Sequence, residues 1–118
     1  MLKFCSLYSG SSGNSLFVQS NNTKILIDCG TSAKKIETAL DNIDIDITDI
    51  DAILVTHEHS DHIQGLGTIS KKHDIPVFAN CETWEAMENQ RNKMTSNNIK
   101  TFENNTETTG TVKCTDSV

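Results

Sequence analysis

Three of the chain's four histidines fall within six residues, in His57-Glu58-His59-Ser60-Asp61-His62. Imidazole and carboxylate are the ligands that Zn²⁺ or Mn²⁺ takes where a site must stay open to water, unlike closed four-cysteine structural sites. In an extended loop His57 and His59 project to the same side and can share one metal. Asp61 and His62, at the turn into a helix, point toward a neighbouring position. Two adjacent cation sites are implied. A metal pair there lowers the pKa of a shared water toward 7 and polarises a phosphoryl or carbonyl oxygen, so hydrolysis is the natural chemistry. Random placement of this chain's own His and Asp would produce H-x-H-x-D-H with a probability of about 3 in 10⁴. Glu58 alternates with the donors and is expected to face away from them. His73, in a Lys-Lys-His-Asp helix end, reads as an ordinary surface or core histidine.

The elements that must position this cluster follow from hydrophobic period and turn chemistry. Residues 52–56 (AILVT) form a β-branched, nearly continuous apolar run, expected to be a strand buried on both faces. Its end at Thr56 delivers the donors into the following loop, where open α/β sheets place their ligand sites. Upstream, residues 2–8 and 15–19 read as strands joined by the small polar turn 9–14, and residues 24–28 as a third, an antiparallel opening. Thr31 or Ser32 can cap a helix whose apolar face is Ala33, Ile36 and Leu40. The acidic stretch 41–51 lacks the turn glycine and closing glutamate of a calcium loop and reads as a solvated connection.

Downstream, Ile63, Leu66 and Ile69 mark one helix ending near residues 71–73, and residues 77–79 a short strand. A helix over 81–89 turns Trp84 and Met87 inward as core. Weak alternation at 99–103 and 111–114 suggests two more strands.

Composition bounds the rest. The 118 residues fit one domain, 36% of them apolar, with a net charge of −6. No apolar run approaches the roughly 20 residues that span a bilayer, so no membrane partner is expected. The start, MLKFCSLYSG, lacks a long hydrophobic signal, so a cytoplasmic location is expected. Cys5, Cys29, Cys81 and Cys114 form no C-x-x-C pair and read as mostly reduced. The acidic balance is a poor one for phosphate neutralisation, although bound divalent metal would offset part of it. The Ser9-Gly-Ser-Ser-Gly-Asn-Ser15 turn is neither a nucleophile elbow nor a P-loop. It is a tight glycine turn or lines the site through Asn14 or backbone N–H groups.

With these residues in view, T-H-E-H-S-D-H-I-Q-G resembles the T-H-x-H-x-D-H-x-x-G signature of the metallo-β-lactamase superfamily. The S-G-S-S-G-N-S turn, the I-L-I-D-C-G strand end and I-P-V-F-A-N are similar to its YycJ (or WalJ) branch, associated with 5′ to 3′ DNA exonuclease activity. The match covers roughly residues 1 to 90. It implies an α/β (α+β) fold, the N-terminal half of an αββα sandwich, with a mixed or antiparallel sheet and helices on its outer face.

The resemblance also implies roles. His57 and His59 bind a first divalent ion, Zn or Mn, and Asp61 and His62 a second, with Asp61 also orienting the nucleophile. Asp28 holds the metal loop in place and Thr56 supports it. Family members complete both metals with a further histidine, an aspartate and a last histidine, yet no histidine follows His73. Residues 1–118 are therefore expected to be a partial domain whose C-terminal half is missing. Its metals would be weakly held, and its uncovered sheet face or edge would invite self-association.

Three functions follow: a metal-dependent DNA phosphodiesterase in a longer parent, a hydrolase of small esters, thioesters or lactams, or a catalytically silent fragment or metal-binding module. The isolated chain is expected to be inactive.

Overall fold

Alternating apolar residues build the opening of the chain into three antiparallel strands, β1 (Leu2–Tyr8), β2 (Ser15–Ser20) and β3 (Thr23–Ile27). The computed structural model describes residues 2–10 and 13–102. Beyond β3 the sheet grows by parallel pairing through β4 (Ala52–Leu54), β5 (Val77–Ala79) and β6 (Ile99–Thr101), in the order β1-β2-β3-β4-β5-β6. Parallel neighbours need crossovers. These are α1 (Ala33–Asn42), then α2 (Ser60–Ile63) with α3 (Leu66–His73), then α4 (Cys81–Ala86) with α5 (Glu88–Arg91). Of the two weakly alternating stretches, the first forms β6; residues 111–114 lie outside the described residues.

One cross-strand row, Cys5–Phe17–Leu26–Ile53–Val77–Ile99, runs in register across the whole sheet. Phe17, Leu26, Ile53 and Val77 are buried and share a single core with Ile36 and Leu40 of α1, Leu66 and Ile69 of α3, and Trp84 of α4. Each such side chain contributes about 1.5–3 kcal/mol on leaving water. Trp84 also satisfies its indole N–H on the Lys100 carbonyl, at 2.7 Å, as a fully buried indole must.

The opposite face is apolar as well, through Leu16, Val18, Ile25, Ile27, Leu54 and Phe78, but these side chains are only half-buried. The expectation that the strand at 52–56 is buried on both faces therefore fails. Ile53 and Val55 are buried, Leu54 between them is not, and the strand ends at Leu54. The cause is layering: the described helices share their core with one face of the sheet.

Two helices expected to be continuous are broken. The first breaks at Gly65 (φ −96°, ψ 3°), whose N–H donates to the Cys29 carbonyl at 2.9 Å. A Cβ there would lie 2.3 Å from the Thr31 carbonyl oxygen, so the loop after β3 packs where only glycine leaves room. The second breaks at Met87 (φ −115°, ψ 50°), whose side chain stays in the core. Ser32 caps α1 through Lys35 N, and Asp46 and Asp51 spend carboxylate oxygens on the backbone N–H groups of Thr48 and Lys24, as a connection does. Cys5 and Cys29 are free thiols, whereas Cys81 is disulfide-bonded, against the expectation of reduced cysteines. Among the described residues no helix is long and apolar enough to cross a membrane.

His73 ties α3 to α1: its Nε2 lies 2.7 Å from Glu37 Oε2, and Lys72 Nζ lies 3.1 Å from the same oxygen. The hydrogen bond from His73 does most to hold the Glu37 carboxyl below its ordinary value; burial opposes it, and the hydrogen bond and charge of Lys72 add to the lowering. A depressed carboxylate stabilises the fold above its unfolded pKa, and that stability is lost as pH falls through the folded value. Glu37→Gln is therefore expected to lower urea stability by less than about 1 kcal/mol near neutral pH, because the pair is partly solvated. The difference from the parent should close as pH falls through the depressed Glu37 value.

Candidate metal centre

The donor loop leaves the C-terminal end of β4, beside the C-terminal end of β3, where Asp28 stands. Asp28 is 5% exposed and sits at φ 67°, a left-handed conformation that Asp tolerates better than most residues. Its N–H donates to the Leu54 carbonyl at 2.7 Å, which fixes β3 against β4 at that point. The carboxylate is a hub. Oδ1 accepts from Thr56 N at 2.8 Å, and Oδ2 accepts from Thr56 Oγ1 at 2.7 Å and lies 2.7 Å from His62 Nδ1.

These contacts fix proton positions. A carboxylate only accepts, so His62 must carry a proton on Nδ1. Thr56 has one hydroxyl proton, and it is committed to Asp28. The 3.1 Å contact between Thr56 Oγ1 and His57 Nδ1 must then be donated by the ring, which puts the His57 proton on Nδ1 too. With Nδ1 carrying the proton, the neutral form of each ring offers Nε2 as the lone pair that a cation takes, and carboxylate-supported histidine is the usual outer-sphere arrangement of metal sites.

The loop brings the expected donors together. The His57 and His62 ring centroids lie 3.8 Å apart and those of His57 and His59 4.8 Å apart. His62 Nε2 lies 3.6 Å from Asp61 Oδ2. The two-by-two arrangement expected from an extended loop is thus less clean, since the His57 ring lies closer to that of His62, tilted by 47°, than to that of His59. Among the described residues no three His, Cys, Asp or Glu side chains close into a group that could hold a metal ion. The residues nonetheless fit a divalent cation in donor type and in the proton positions of His57 and His62, as an open, incomplete donor set rather than a finished cage.

Asn14 joins them. Its Nδ2 donates to Asp61 Oδ2 at 3.0 Å and to the Asp61 carbonyl at 3.1 Å, and lies 3.5 Å from His62 Nε2. The glycine turn after β1 therefore reaches the donor loop across 47 residues of sequence. Cys29, next to Asp28, is fully buried, and burial, then the Asp28 charge, pushes its thiol far above the ordinary range.

Sequence reasoning missed Gly30. Its N–H donates to the Asn14 carbonyl at 2.9 Å, while Cys29 N donates to the His62 carbonyl at 2.9 Å. The signal available was a glycine immediately after a strand-ending Asp-Cys, a position where close backbone approach is common.

A histidine–aspartate loop at the C-terminal ends of adjacent parallel strands, anchored by a buried carboxylate, is an open donor set carried on a mixed α/β sheet. The chain belongs to the metallo-beta-lactamase superfamily, which residues 8–111 match. It is 51% identical over 87 residues to the exodeoxyribonuclease YycJ of Bacillus anthracis, covering 74% of this chain and 33% of that protein. To the exodeoxyribonuclease WalJ of Streptococcus pneumoniae it is 48% identical over 89 residues, covering 75% and 33%. Among solved structures, the Rm3 metallo-beta-lactamase matches with a TM-score of 0.62 and 29% identity over 71% of this chain and 32% of that one. The chain thus spans about a third of the length of the relatives it matches, and its mixed α/β architecture is that of the first half of the superfamily's fold.

Proposed function

We propose that the chain is the donor-bearing part of a metal-dependent DNA phosphodiesterase, a 5′ to 3′ exonuclease. In this reading His57 and His59 hold one divalent cation, Zn²⁺ or Mn²⁺, and Asp61 and His62 a second, in the cytoplasm. The observation that carries it is the Asp28 hub, which leaves Nε2 of both His57 and His62 bare. The names of the YycJ and WalJ relatives support DNA as the substrate.

Bound cations supply charge that polarises a phosphoryl oxygen and acidifies water. The chain's own residues do the rest. Asp28 and Thr56 hold the ring protons on Nδ1 and so fix both imidazoles in place. Asn14 turns the Asp61 carboxylate, which serves as ligand and orients the attacking water. The half-covered sheet face, lined by Leu54 and Phe78 among others, is apolar enough to pack against the rest of a longer protein or a second copy.

Two protein donors per cation leave the remaining positions to water, so Zn²⁺ and Mn²⁺ should bind the 118-residue chain far more weakly than a structural zinc site, as read by calorimetry. The pure chain is expected to turn over neither end-labelled DNA nor a chromogenic ester. A protein carrying this chain at the relatives' full length should degrade the DNA and not the ester, and lose that activity to a chelator. Ester turnover with no DNA turnover would refute the phosphodiesterase reading. Robust metal-dependent turnover by the pure chain would refute the need for further ligands.

A further inference from the structure

We propose that the cleft between α3 and the segment following α5 binds the phosphate groups of a polynucleotide strand, a proposal that rests on reading the donor loop as a phosphodiesterase centre. The cleft encloses about 680 Å³ and is lined by Gly67, Thr68, Lys71, Lys72, Asn92 and Lys93. Among the described residues, three lysines line this cleft and no Asp or Glu does, in a molecule whose net charge of −6 would otherwise repel an anion.

Helix-dipole pairing accounts for part of this, since Lys71 and Lys72 end α3. It does not account for Lys93. That residue is brought against α3 because Gly67 has no side chain: a Cβ there would lie 2.9 Å from Lys93 Cβ and 2.9 Å from Gln90 Oε1. Gln90 Oε1 in turn accepts from Gly67 N at 2.8 Å, one of the helix-start N–H groups without an intrahelical partner. The floor of the cleft is thus built and fixed, with lysine stems along its walls.

Lys72 shares its charge with Glu37 at 3.1 Å, so the charge offered to a ligand comes chiefly from Lys71 and Lys93, with Thr68 and Asn92 as neutral donors. Lysines are compact charges on flexible stems, suited to backbone phosphates without sequence preference. A second cleft, of about 620 Å³, shares Lys93 and extends past Gln64 to Ser60 in the donor loop. It also carries Glu85 and Glu88, which favour a strand that keeps to the Lys93 side.

The test measures binding of a fluorescein-labelled single-stranded DNA 12-mer by anisotropy, with EDTA present so that the donor loop plays no part through metal. Lys71→Gln with Lys93→Gln should weaken binding roughly tenfold and lower the salt slope by about 1.4, at about 0.7 per single-strand phosphate contact. Lys34→Gln with Lys35→Gln makes the same charge change on the exposed side of α1 and should change affinity less than twofold. Equal losses in the two pairs, or no binding by the parent chain at low salt, would overturn the proposal. Inorganic phosphate that displaces the strand at matched phosphate concentration would also overturn it, by making the cleft a small-anion site. Intact strand binding with no turnover in a full-length protein would count against the donor loop alone.

Discussion

Asp28→Asn is expected to lower Zn²⁺ or Mn²⁺ affinity by about 10–100-fold, although it changes one heavy atom and replaces none of the proposed ligands. Asp28 Oδ1 and Oδ2 together accept from Thr56 N, Thr56 Oγ1 and His62 Nδ1. An amide has a single acceptor oxygen. If that oxygen stays on Thr56 N, the NH₂ group faces Thr56 Oγ1 and His62 Nδ1 and donates to both. His62 must then move its proton to Nε2. Thr56 Oγ1, now an acceptor from the amide, turns its own proton to His57 Nδ1, and His57 moves its proton to Nε2 as well. Both bare lone pairs disappear through one substitution. If the amide turns over instead, the Thr56 N–H faces the NH₂ group and loses its hydrogen bond, at a cost of about 0.5–1.5 kcal/mol.

Nitrogen chemical shifts of the two rings report the tautomers directly, and a chelator-competition titration reports the affinity. Thr56→Val removes the hydroxyl's bond to Asp28 together with the link to His57 and should leave the His62 proton on Nδ1, which Asp28 Oδ2 alone holds. Unchanged tautomers in Asp28→Asn, with unchanged affinity, would remove the hub from any account of this site.

The donors themselves were legible in sequence because they lie within six residues of one another, and a local pattern survives any fold. The strand before them and a cap at Thr31 or Ser32, which the structure places at Ser32, were legible for the same reason: period, apolar run and capping chemistry are properties of neighbours. What sequence could not supply is set by contacts between distant segments. Asp28 meets His62 across 34 residues, and Asn14 meets Asp61 across 47. Asp28 was singled out only by resemblance, and no local pattern revealed that Thr56 joins it to His57.

The helix break at Gly65 belongs to the same class. Residues 63–73 carry a good helical period, and the break comes from the Cys29 and Thr31 carbonyls on another segment. The Lys93 cleft likewise depends on a glycine in α3 that no periodicity singles out. Burial of 52–56 was overestimated because an apolar run reports hydrophobicity on both faces, whereas burial also depends on which layers cover them.

Gly30→Ala should be the most destabilising single substitution of a small residue in the chain, costing about 3 kcal/mol or more. A Cβ at Gly30 would lie 1.8 Å from the Asp61 carbonyl oxygen, 2.5 Å from its carbon and 2.5 Å from Asn14 N. All three are backbone atoms, so no side chain can swing aside. Relief requires moving either the turn after β1 or the donor loop by more than an ångström. Neither moves alone, because Gly30 N bonds Asn14 O and Cys29 N bonds His62 O. Ser32→Ala, two residues along, loses only the α1 cap to Lys35 N and should cost about 1 kcal/mol. Urea midpoints for the two variants, with the slope of the transition held equal, give the comparison. The same displacement carries Asp61 away from Asn14 and His62, so metal binding by the alanine variant should be lost at temperatures where it is still folded. A Gly30→Ala chain as stable as Ser32→Ala, and binding metal as the parent does, would mean that the turn after β1, the end of β3 and the donor loop do not meet at this residue.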